Sequence, residues 1–324
     1  VATPGDASRD HTPPAGGILS ASVRRTLRDG EVPNTFIECV HAETCAGCPL
    51  IEHDYAQQLT QKRARVVTAA SHFPALELVY TRPVEPADPI IGYRGRAKLI
   101  VSPRGGIGLY GREGNHEVVD IPGCRVLSPA LAETAALLRA LVSDPPPEAR
   151  ALLLPFDPLG GGVLRAVDLR EVKTPRAADG GAGADAGPQM ARDKGDRVAV
   201  LLTFVLQRDR APARDELRDA GRAIRRLVPS VIGVAVNFHD ADTPQILGSE
   251  TQVLDGVSSA HDRIGSTWHL ATYGSFVQAH REQAARVHAL VVREIASIDF
   301  TAGAERRRGA DEPARVLDLY GGSG

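Results

Sequence analysis

Residues 197–238 read RVAVLLTFVLQRDRAPARDELRDAGRAIRRLVPSVIGVAVNF, and three parts of this stretch decide the fold. RVAVLLTFVL is a continuous apolar run of strand length. ARDELRDAGRAIRRLV sets apolar residues at helical spacing among charges, and VIGVAVNF is a second buried strand. With the strand GGVLRAVDLREVK before it, the succession of strand, helix and strand predicts a compact α+β unit over 161–238.

Upstream of this unit, SPALAETAALLRALVSD (128–144) reads as a helix with Ser128 as N-cap and Pro129 in the first turn. GYRGRAKLIVSP, IGLYG and HEVVDI read as three strands of a meander. DYAQQLTQKRARVVTAAS (54–71) reads as a helix capped by Asp54. Within the unit, residues 174–196 form an insertion too rich in small residues to fold. Downstream, QILGSETQVLDG (245–256) suggests a hairpin, and SFVQAHREQAARVHALVVREIAS (275–297) a long amphipathic helix starting with Ser275 as cap. A polar linker (301–313) then leads to VLDLYGGSG (316–324), a strand breaking into a glycine-rich turn.

The 324 residues, 43% hydrophobic and 24% charged, leave room for roughly two domains. No run of about 18 apolar residues occurs and the first residues lack the order of a secretory signal, so a cytoplasmic monomer without a membrane partner is expected. Val1 stands where Met is usual, and the single methionine is Met190. These features lead to the expectation of a truncated chain. The formal net charge of -2 supplies no general attraction for a polyanion. Basic stretches exist locally, and Arg96 and Lys98 are candidate phosphate contacts; the alternative is solvent-facing charge on an edge strand.

The four cysteines are Cys39, Cys45 and Cys48 in ECVHAETCAGCPL and Cys124 in DIPGCRV. A C-x5-C-x2-C triplet with a distant fourth member is a poor disulfide pattern for a cytoplasmic chain. Soft thiolates at this density suit zinc or an iron–sulfur cluster, and spacing leaves the two open. Cys124 follows Pro-Gly, a tight turn able to aim its sulfur. His41, His53, His116 and His239 contain no H-x-x-x-H pair and are not read as ligands.

The segments CAGCPLIEHDYAQQLTQK, YRGRAKLIV, IGLYG…HEVVDIPGC, SFVQAHREQA and VLDLYGGSG, in this order, resemble the RNA uracil-5-methyltransferase family, and within it the iron–sulfur branch acting on 23S ribosomal RNA. The resemblance spans 39–324. It implies a [4Fe-4S] cluster on Cys39, Cys45, Cys48 and Cys124, and ribosomal RNA as partner. The implied architecture is an α+β central domain (36–272) bearing the cluster, followed by the beginning of a Rossmann-like S-adenosylmethionine-dependent methyltransferase domain (273–324). Helix 54–71 is expected against the catalytic domain, and 1–35 as a disordered tail or the remnant of a missing module. By resemblance, Gln278, Asp318, Tyr320, Gly322 and Gly324 bind S-adenosylmethionine. His280 replaces the family's Asn near the RNA, and Gly321 stands where Cys is frequent.

In that family a cysteine thiolate adds to C6 of uracil, C5 takes the methyl group, and a carboxylate base removes the C5 proton. All four thiols here are claimed by the cluster pattern. The nucleophile and base are therefore expected beyond Gly324, and the chain alone is expected to be inactive. The competing reading is a stand-alone iron–sulfur or zinc RNA-binding module without catalysis.

Overall fold

The structure is a computed structural model that describes residues 35–114, 116–175, 195–240 and 244–298. Residues 1–34, the larger part of the predicted insertion, and the proposed cofactor residues Asp318, Tyr320, Gly322 and Gly324 lie outside the described residues.

Its centre is the stretch read first. Strands β5 (Asp196–Gln207) and β6 (Val231–His239) pair in parallel, with helix α4 (Arg214–Leu227) as the crossover such a pair requires. Asp215 and Glu216 at the start of α4 and Arg225 and Arg226 at its end complement the helix dipole. Leu217, Ala220, Gly221 and Ile224 line its buried stripe. Gly221 is where the helix crosses the edge strand β7 (Glu250–Gly256): a Cβ there would lie 2.7 Å from the Leu254 Cβ.

Around this pair a seven-stranded sheet forms in the order β3-β2-β1-β4-β5-β6-β7. Strand β4 (Leu164–Pro175) pairs antiparallel with both β5 and β1 (Arg96–Val101). Strand β2 (Ile107–Tyr110) pairs antiparallel with β1, and β3 (Val118–Asp120) antiparallel with β2, completing the meander. Thr174, Pro175 and Asp196, read as part of the insertion, are the ends of β4 and β5.

Both faces of the centre are covered, which is why β5 is apolar without alternation. On one face Leu202 and Phe204 of β5 and Leu169 of β4 meet α4 and helix α2 (Pro129–Ser143), which contributes Leu131 and Leu138. Each such fully buried side chain contributes about 1.5–3 kcal/mol. On the other face Val172, Ala199 and Leu201 meet Ala260 and Ala271 of a two-stranded hairpin, β8 (Ser259–Ile264) and β9 (Thr267–Thr272).

The hairpin predicted over 245–256 is corrected. Only β7 forms there, paired with β6, because the Asn237 side chain holds the backbone of Gly248 and Glu250 against the sheet. The true hairpin follows it.

Beside the apolar patch the hairpin face carries charge. Asp262, 0% exposed, accepts from Arg281 at 2.5 Å and from the Lys173 backbone N–H at 3.0 Å, with Arg170 at 3.8 Å. Asp168 pairs with Arg96 at 2.7 Å. Arg96 donates to the Ser275 carbonyl and Arg170 to its hydroxyl, so buried cations fix the segment before helix α5 (Arg281–Ser297).

Helix α5 therefore begins later than the sequence suggested: His280, not Ser275, is its cap. Beyond Ala284 it leaves Val287, Leu290, Val291 and Val292 exposed. Helix α1 (Tyr55–Ser71) is capped by Asp54 as read, and buries only Tyr55 and Leu59.

Candidate functional site

The four cysteines, drawn from two separate segments, line one cavity of about 270 Å³. All are free thiols of intermediate exposure. The first loop is folded on itself by hydrogen bonds from the Ala42 N–H to the Cys39 carbonyl and from the Cys45 N–H to the His41 carbonyl. Cys45 then bridges to Gly111 at the end of β2. In the second segment Pro122 and Gly123 make a tight turn, with Gly123 at φ 68° and the Cys124 N–H reaching the Ile121 carbonyl. The turn aims Cys124 at the loop, as its Pro-Gly sequence predicted.

Two side chains that sequence reading did not select fix this geometry. Arg112 donates to the carbonyls of Cys45 at 3.1 Å and Cys48 at 3.3 Å. His41 meets the Pro122 carbonyl at 2.8 Å, tying the loop to the Cys124 turn. Nothing in their spacing marks either, since each acts on a main chain brought close only by the meander. Gly47 is the tightest point: a Cβ would lie 2.6 Å from Leu109 Cδ1 and 3.4 Å from Cys45 Sγ. Its own N–H donates to Cys45 Sγ at 3.3 Å.

Thiols and cations meet in this cavity. Burial pushes the Cys48 thiol up from its ordinary value, and Cys124, Cys45 and Cys39 push it further as neighbouring negative charges, while Arg94 opposes them. Arg94, Lys98 and Arg125 also line the cavity, and Ile51, Leu99 and Leu127 exclude water from its floor. Among the described residues, however, no group of three or more His, Cys, Asp or Glu side chains stands as a metal-ion site.

The RNA-contact candidates separate. Lys98 is exposed at the cavity rim. Arg96 is corrected: its side chain is 10% exposed and committed to Asp168 and Ser275, leaving no free guanidinium for a phosphate. His280 also faces protein. Its Nδ1 accepts from the Gln283 N–H at 3.3 Å, its Nε2 donates to the Pro89 carbonyl at 2.9 Å, and its ring stacks on Tyr93 at 4.6 Å. These partners set the Nε2–H tautomer and account for both ring nitrogens.

Gln278 is exposed in the extended segment before α5. That segment runs along residues 94–95: Gly95 donates to the Ala279 carbonyl at 2.7 Å, and Arg94 bridges to His280. Because Arg94 also lines the cysteine cavity, the two predicted features share one short connection.

No family model matches the chain. It is 25% identical to an uncharacterized RNA methyltransferase of Geobacter sulfurreducens, over 88% of this chain and 50% of that protein. With a second, from Nostoc, it shares 26% over 68% of this chain and 42% of that one. The chain is similar to proteins named as RNA methyltransferases. A crystal structure of Pyrococcus abyssi tRNA (uracil-54, C5)-methyltransferase in complex with S-adenosyl-L-homocysteine is similar with a TM-score of 0.52. That match has 20% identity and covers 77% of this chain and 50% of that one, a likeness of fold. The chain spans about half the length of the curated proteins it matches. Among the described residues no helix is long and apolar enough to cross a membrane.

Proposed function

We propose that the chain is the cluster-bearing, RNA-facing part of an S-adenosylmethionine-dependent RNA (uracil-5-)-methyltransferase acting on 23S ribosomal RNA. The observation that carries this reading is the meeting of Cys39, Cys45, Cys48 and Cys124 around one cavity, in a chain similar to RNA methyltransferases along most of its length. The [4Fe-4S] centre, in preference to one zinc ion, is what the resemblance to the iron–sulfur branch implies. When bound, the cluster supplies a cross-link between the 39–48 loop and the 122–124 turn.

The chain's own residues hold and shield that centre. Arg112 and His41 position the two segments, Gly47 offers a hydrogen bond to sulfur, and Arg94 and Arg125 offset thiolate charge. Lys98 faces outward at the rim, placed for an RNA phosphate. Gln278, displayed between the Ser275 and His280 anchors, is the cofactor-facing residue, with Asp318, Tyr320, Gly322 and Gly324 completing the adenosylmethionine contacts. With every thiol committed to the cluster, none remains for addition to uracil C6, so residues 1–324 alone transfer no methyl group.

Iron and acid-labile sulfide analysis of anaerobically purified chain tests the reading. About four of each per chain are expected, with loss of the visible absorbance in Cys124→Ser. Stoichiometric zinc without sulfide, or a Cys124→Ser protein with undiminished cluster absorbance, overturns it.

A further inference from the structure

The stripe of α5 that lies on the β8–β9 hairpin ends in an imidazole. Arg281 reaches the Asp262 carboxylate and the Arg263 carbonyl of β8. One turn on, Ala285 closes against the hairpin turn, where a Cβ on Gly265 would lie 3.2 Å from the Ala285 Cβ. The next residue on that stripe is His288. On the hairpin, His269 of β9 is the register partner of Asp262, and residues paired across two strands share a face. His269 therefore projects from the side on which Asp262 meets α5. The two imidazoles come together there, with ring centroids 5.8 Å apart and planes tilted by 40°.

Neither ring is otherwise engaged. His269 Nε2 is shielded from solvent and has no hydrogen-bond partner among the described residues, and His288 has no hydrogen bond or ion pair among them. An imidazole nitrogen always has a proton to give or a lone pair to share, so a shielded one without a partner is costly. An ion held by both rings answers it. Bonds of about 2.0–2.1 Å from nitrogen to the ion put two such centroids about 5 Å apart at a tetrahedral angle and about 6.4 Å apart when opposed. The observed separation lies between these limits. His288 is exposed, which gives an ion a way in, and Arg281 on the same stripe is neutralised by Asp262.

We infer that His269 and His288 together bind a divalent transition-metal ion of the zinc class, which staples α5 to the hairpin. Among the described residues no third His, Cys, Asp or Glu joins them, so water completes the coordination. A pair of imidazoles without carboxylates selects zinc, copper or nickel over magnesium and calcium, which take oxygen ligands. The site is distinct from the cysteine cavity, and it adds a tie to a helix that buries only Arg281 and Ala284.

Equilibrium dialysis of the anaerobically purified 1–324 chain against zinc chloride, followed by metal analysis, tests this. The parent should hold about one zinc per chain more than either His269→Ala or His288→Ala. The difference should persist in the Cys124→Ser background, whatever the cysteines hold. Equal zinc in the parent and in His288→Ala, a change on the exposed helix surface that spares the core, overturns the assignment even where His269→Ala folds poorly. In imidazole NMR spectra zinc should shift the His269 and His288 resonances together. A shift of one ring alone, or its reversal by equimolar magnesium, overturns the assignment as well.

Discussion

Asp262 is the most exacting test of how this fold handles charge. Its carboxylate is 0% exposed and holds Arg281 at 2.5 Å, the Lys173 N–H at 3.0 Å and Arg170 at 3.8 Å. Burial draws the Arg170 guanidinium below its ordinary value, and Asp262 is the main influence that restores it. Asp262→Ala therefore strands two buried cations and one backbone N–H. Removing one partner from a buried ion pair costs about 3–5 kcal/mol. At about 2–4 °C per kcal/mol for a domain of this size, the melting temperature should fall by roughly 6–20 °C. Asp262→Asn keeps an acceptor for the Lys173 N–H and should lose less. Adding Arg170→Met to Asp262→Ala should recover part of the loss, since the second change removes a stranded charge. Thermal melts followed by far-UV circular dichroism provide the comparison. If Asp262→Ala melts within about 2 °C of the parent, Asp262 is not the compensating charge and the reasoning fails.

Gly221→Ala forces a Cβ to within 2.7 Å of the Leu254 Cβ, which cannot swing away, so α4 must shift from β7; about 1–3 kcal/mol should be lost in urea denaturation. Asp54→Ala removes the acceptor that takes the Gln57 N–H at 2.7 Å, and should cost about 1 kcal/mol, seen as faster amide exchange in the first turn of α1. Burial raises the Tyr273 phenol above its ordinary value, its hydroxyl donating to the Val257 carbonyl at 2.7 Å. The unfolded chain therefore releases this proton first, near pH 10, and stability should fall by about 1.4 kcal/mol per pH unit above that point. Below it the contribution is fully present. Tyr55 is pushed the same way, so Tyr273→Phe should lessen the alkaline slope by one proton and leave stability below pH 9 free of any new pH dependence.

The parts of the fold carried by local pattern were legible in the sequence. The apolar runs of β5 and β6, the charged ends of α4, and the caps Asp54 and Ser128 each state their structure within a dozen residues. The errors fall where a distant partner decides. Asn237, eleven residues before Gly248, turns an apparent hairpin into a single edge strand. Ser275 looks like a cap but is taken by Arg170, leaving His280 to cap α5. Arg96 alternates with apolar neighbours as a surface cation would, and only the arrival of the 272–281 segment buries it. The cysteines were legible as a set because thiol spacing is a chemical signal. Arg112 and His41, which place them, were not, because main-chain carbonyls have no sequence signature.

The closing of the cysteine cavity also sets an order of events during synthesis. Cys39, Cys45 and Cys48 leave the ribosome before Cys124, and the turn that aims Cys124 follows β1, β2 and β3 in the chain. Until then the early thiols have no fourth companion and no apolar wall, since Leu99, Leu109 and Ile121 come from those same strands. A nascent chain arrested before residue 124 offers an open, oxidisable triplet, whereas one arrested beyond α2 offers the finished receptacle. The loop-closure cost of bringing the two thiol-bearing segments together is therefore met by strand pairing within the meander.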